Sequence, residues 1–60
     1  MKPIRLENIQ NNAIAVVRYI PAYNEYNVKL YWNGQVNKAA TYYTDDKSDA
    51  IETAQVMILH

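Results

Sequence analysis

The sequence predicts a small α+β domain: an antiparallel sheet of three strands, with allowance for a fourth, and one C-terminal helix packed on one face. Three observations lead there. Tyr26 to Trp32 alternates apolar and polar side chains. Asn33-Gly34 then separates two strand-like runs, and both residues accept positive φ, which makes this the strongest short hairpin signal. From Asp46 to Leu59, apolar residues recur at helical spacing. Sixty residues hold a single domain, residues 1–60.

The elements follow in chain order. Met1 to Asn12 is the least defined stretch. Ile4, Leu6 and Ile9 suit a short extended segment, Pro3 disfavours an earlier helix start, and Asn11-Asn12 reads as a turn; a short helix is the alternative. "AIAVVRYI", Ala13 to Ile20, is dense in β-branched residues and reads as a strand that is central or covered on both faces. Pro21 ends it, and "PAYNEYN" is a polar turn or loop. In the next strand Tyr26, Val28, Leu30 and Trp32 share one face, and Asn27, Lys29 and Tyr31 the other.

The last strand lies within Gln35 to Thr44, and its register has two solutions. A strict two-residue turn sets Lys29 opposite Lys38, and like charges directly opposed are unfavourable. A three-residue turn with Gly34 in a bulge aligns Val28, Leu30, Val36, Ala40 and Tyr42 on one face instead. The second register is the one expected. In the helix, Ala50, Ile51, Ala54, Met57 and Ile58 form the apolar stripe, while Lys47, Asp49, Glu52 and Gln55 are wetter. One helix covers one face of the sheet, so the opposite face meets water or another chain.

A chain this short buries only roughly 60% of the surface its unfolded form exposes. It has no cysteine, so neither a disulfide nor a thiolate zinc site can staple it. Six Tyr, one Trp and no Phe favour half-buried and interfacial positions, because tyrosine joins an apolar body to a polar tip. Net charge is zero but uneven. Residues 1–30 carry four basic and two acidic residues, +4 − 2 = +2; residues 31–60 carry two basic and four acidic, +2 − 4 = −2. A dedicated nucleic-acid binder is usually clearly basic. No apolar run approaches the ~20 residues that span a bilayer, so no membrane role and a soluble, cytoplasmic protein are expected.

The stretch "YYTDDKSDAIETA" concentrates the candidate chemistry. Its carboxylates read first as a helix start: Thr44 or Asp45 caps a free backbone N–H, and acidic groups complement the positive end of the helix dipole. An acidic partner-binding face of Asp45, Asp46, Asp49 and Glu52 is compatible with that role. A metal site is disfavoured, because EF-hand spacing is absent and the sole histidine is His60. Enzyme templates also fail, since Ser48 lacks a histidine for a triad and Gly34 stands alone without a phosphate loop. No catalytic residue, cofactor or metal is expected. A second candidate surface is aromatic: Tyr19, Tyr31 and Trp32. Arg18, Lys29 and Lys38 sharing an exposed sheet face with Tyr19 and Tyr31 would suit stacked single-stranded nucleic acid. The plain alternative is solvated sheet residues, with Trp32 capping one end of the core.

The run "KLYWNGQVNKAATYYTDDKSDAIETA", Lys29 to Ala54, resembles small accessory proteins encoded by bacteriophages and prophages. In these a hairpin leads into a Tyr-x-Thr-Asp-Asp-x-x-Asp-Ala helix start. The resemblance implies a context: a host-takeover factor or inhibitor that binds one host protein, such as RNA polymerase, a nuclease or a CRISPR effector, in the host bacterial cytoplasm. It assigns no site residues. The expected function is therefore a non-enzymatic binding protein, with a homodimer allowed. The alternatives are a small dimeric nucleic-acid binder using basic and aromatic sheet residues, and a structural or assembly protein.

Overall fold

A computed structural model describes residues 2–59. Four strands form one antiparallel meander in the order β1-β2-β3-β4. They are β1, Ile4–Asn8; β2, Ala13–Ile20; β3, Glu25–Trp32; and β4, Gln35–Thr44, followed by the helix α1, Lys47–Met57. The fourth strand is β1, and it makes β2 a central strand, as the density of apolar residues in β2 predicts. The helix spans Lys47–Met57 rather than running on to Leu59; Ile58 and Leu59 form a terminal turn.

Turn chemistry sets the meander. Among the described residues, positive φ occurs at Asn12, Asn24, Asn33 and Gly34. Each lies in a connection between strands, and Asn and Gly tolerate the left-handed region best. Asn12 closes the β1–β2 turn, its N–H donating to the Ile9 carbonyl at 3.2 Å. Between β2 and β3, Pro21–Tyr23 forms a single 3-10 turn that Asn24 ends at φ 49°. Asn33 and Gly34 at φ 50° and 81° make the two-residue hairpin with positive φ at both positions.

That tight hairpin corrects the expected register. Trp32 pairs with Gln35, Tyr31 with Val36 and Leu30 with Asn37, as a strict two-residue turn dictates. Val36 therefore lies on the face opposite Val28 and Leu30. The Lys29–Lys38 opposition is avoided differently. Pairing slips after Asn37 and resumes at Val28–Tyr42, so residues 38–41 of β4 bulge out of register. The Asn37 side chain helps to hold the bulge by accepting from the Ala39 N–H at 3.2 Å. Tyr42 lands on the face of Val28, as expected.

The helix crosses β2, β3 and β4. Ala15, Val17 and Val28 form the buried cluster with Ala50 and Ala54, and Ile4, Leu6, Tyr26, Met57 and Ile58 pack around it. Alanines on both sides let helix and sheet approach closely. At the far end Asn8 and Asn11 donate to the Ile58 carbonyl at 2.8 and 3.0 Å, satisfying a helix-terminal acceptor. Ala54→Leu puts three more carbons into this contact, and overpacking of this kind costs about 1–3 kcal/mol. Urea unfolding should show the loss; an unchanged midpoint would mean that the helix rides higher on the sheet.

Candidate functional site

The two faces of the sheet differ. On the helix side lie Ala13, Ala15, Val17, Val28 and Leu30, all buried. The open side is built by the alternate residues. Cross-strand pairing arranges it in rows: Glu7, Ile14, Tyr31 and Val36; then Arg5, Val16 and Lys29; then Arg18, Asn27 and Tyr43; then Ile20 and Glu25. Val16 has Arg5 opposite it on one side and Lys29 on the other, and Arg18 two positions along its own strand. Directly opposed side chains stand roughly 5 Å apart and diagonal ones roughly 7 Å. Among the described residues none of these three cations makes an ion pair. A shallow groove of about 260 Å³ runs between Arg5 and Arg18, over Ile14, Val16 and Tyr31 to Gly34 at the hairpin.

Asn27 stands beside this groove, paired with Arg18 and Tyr43. It is the one buried polar residue among those described, 5% exposed, and its Oδ1 has no hydrogen-bond partner. A buried acceptor left unpaired costs about 1–3 kcal/mol. The other six asparagines have evident work in turns, caps or the bulge.

The acidic residues around the helix start lie apart from this face. Asp46, rather than Thr44 or Asp45, is the N-cap: its Oδ1 accepts from the N–H groups of Ser48 at 2.8 Å and Asp49 at 3.3 Å. Thr44 supports it, Oγ1 accepting from the Asp46 N–H at 3.2 Å. Asp49 Oδ2 accepts from the Tyr42 hydroxyl at 2.7 Å and so ties the helix to β4. That hydrogen bond, helped by partial desolvation and by the Asp49 charge, holds the Tyr42 hydroxyl above the ordinary tyrosine pKa. Asp46 and Asp49 thus serve the fold, while Asp45 and Glu52 are exposed.

The three aromatic candidates do not share a surface. Tyr31 is on the open face, in the groove. Tyr19 belongs to the helix side, its ring 5.0 Å from that of Tyr26 and its hydroxyl donating to Asn24 Oδ1 at 2.5 Å. Trp32, 44% exposed, follows the helix-side parity at the hairpin end. Of the expected basic set, Arg18 and Lys29 join Tyr31, while Lys38 falls in the bulge. Arg5 and Asn27 also stand on this face, Arg5 opposite Val16 and Asn27 opposite Arg18. Alternation in "IRLEN" signals Arg5 once β1 is read as a strand; nothing in the sequence signals the burial of Asn27.

Among the described residues no group of three histidine, cysteine or carboxylate side chains could hold a metal, and no helix is long and apolar enough to cross a membrane. His60, set aside above as a ligand or triad member, lies outside the described residues. No family model, curated protein or solved structure matches this chain.

The carboxylate roles separate by stability. Asp46→Ala should cost about 1 kcal/mol through the lost cap. Asp45→Lys and Glu52→Lys should stay within about 0.5 kcal/mol of the parent. Chemical denaturation of the three variants checks this, and equal losses in all three would contradict the assignment.

Proposed function

We propose that this chain is a non-enzymatic binding protein that occupies a surface of a partner protein with the uncovered face of its sheet. The observation that carries the reading is a set of three cations that make no ion pair among the described residues: Arg5 and Arg18 line an apolar groove, and Lys29 stands opposite Val16 beside it. Cations left without partners contribute little to folding. They are available to a ligand, and the groove offers an apolar group a place beside them. Its lining of Arg5, Ile14, Val16, Arg18, Tyr31 and Gly34 holds no carboxylate, histidine, serine, threonine or cysteine, which favours binding over chemistry. The resemblance to phage-encoded accessory proteins favours a host protein as the partner, in the bacterial cytoplasm, and an inhibitory or accessory outcome.

Nucleic acid is the second reading, favoured by Tyr31 lining the same groove as the two arginines. Glu7 and Glu25, in the two outer rows of the face, weigh against it. A nucleic-acid strand carries a charge at every nucleotide and would run past one of them.

Affinity capture from a bacterial lysate, with the chain as bait, decides between the two layers. Arg18→Glu should lose the captured protein, and the Asp45→Lys/Glu52→Lys double variant should keep it. The reverse pattern would move the binding surface to the acidic helix start.

A further inference from the structure

We propose that the open-face groove takes a segment of a partner protein in which one carboxylate side chain stands next to an apolar one. The carboxylate would sit among Arg5, Arg18 and Lys29, and the apolar group on Ile14, Val16 and Tyr31. This rests on the docking role of the open face and names the chemistry it selects.

Three observations carry it. The first is charge. The three cations flank Val16 in the middle of the face, with Glu7 in the row on one side and Glu25 beyond Asn27 on the other. Acidic residues at both ends confine the favourable field to about one anion, which suits an isolated side-chain carboxylate better than a polyanion. Guanidinium groups bind carboxylates through paired, charge-assisted hydrogen bonds, so Arg5 and Arg18 are the stronger ligands and Lys29 adds a point charge. The second observation is the groove floor. Ile14, Val16 and Tyr31 present half-buried apolar surface immediately beside the cations, and about 260 Å³ has room for one side chain rather than a helix. The third is Asn27. Its buried, unpartnered Oδ1 lies next to Arg18 on the same face. A backbone N–H of the segment docked beside Arg18 would satisfy it.

The test uses the full chain labelled with ¹⁵N and the blocked tripeptide acetyl-Leu-Glu-Leu-amide as probe. The backbone amides of Val16, Arg18 and Tyr31 should shift and saturate with a roughly millimolar Kd. Replacing the probe's glutamate by glutamine, or Arg18 by Gln in the protein, should weaken binding about tenfold, the loss expected for a charge-assisted pair. Asn27→Leu, which removes the orphan acceptor, should weaken it less. Equal binding of the acidic and amide probes would overturn the proposal, as would no saturable shift at these amides. Two further results would replace its ligand. One is tighter, salt-sensitive binding of an oligothymidine at the same amides. The other is a dimer in light scattering that Arg18→Gln splits, which would make a second copy the occupant. Retention of Arg18-dependent lysate capture without tripeptide binding would leave the docking role standing and refute the chemistry proposed here.

Discussion

The close seating of one helix on one face of a four-stranded sheet is the constraint that the rest of the molecule depends on. The one described helix covers one face. The covered side is built from small residues, Ala15 beneath and Ala50 and Ala54 above, with Val17 and Val28 filling the space between them. Small side chains contribute little area each, so the core is thin and relies on the helix being held at a fixed height and angle. Both helix ends are fastened accordingly. Asp46 and Thr44 hold the start, Tyr42 links Asp49 to β4, and Asn8 and Asn11 hold the last carbonyl. Polar bonds at the two ends set the position, and the apolar contact between them supplies the burial.

The same economy explains the asparagines. A tight meander needs left-handed residues at its turns, and with a single glycine in the chain asparagine takes three of the four such positions among the described residues. Asn12 and Asn33 also bond to each other through their side chains, and the Asn33 N–H donates to the Asn12 carbonyl at 3.2 Å. Two turns distant in sequence are thereby stitched together at one end of the sheet. Asn27 stands apart, mid-strand and buried, its Oδ1 without a hydrogen-bond partner among the described residues.

Much of this was legible in the sequence because it is local. The Asn-Gly turn, the alternation through β3, the density of β2 and the alanine stripe of α1 each follow from a short window. The departures are long-range. The register of β4 depended on two lysines whose repulsion has two remedies, and the chain takes the bulge at residues 38–41 rather than a longer turn. A near-continuous apolar strand carries no alternation to fix the parity of Tyr19, and pairing with Tyr26 sets it on the helix side, away from Tyr31. The acidic cluster was legible as a helix start, while the split into Asp46 and Asp49, used internally, and Asp45 and Glu52, exposed, needed side-chain geometry. The cationic set around Val16 was hidden because its members come from three strands, one of them barely marked in the sequence.

In the function proposed above the two faces divide the work: the helix side holds the fold, and the open side is free for a partner. The most direct test of that division is the stability of the triple variant Arg5→Gln/Arg18→Gln/Lys29→Gln, measured by urea unfolding. These cations have no ion-pair partner among the described residues and crowd one another across Val16. Neutralising them should leave the unfolding free energy unchanged or raise it slightly by relieving like-charge repulsion. A loss of more than about 1 kcal/mol would show that they hold the sheet together rather than stand free on it.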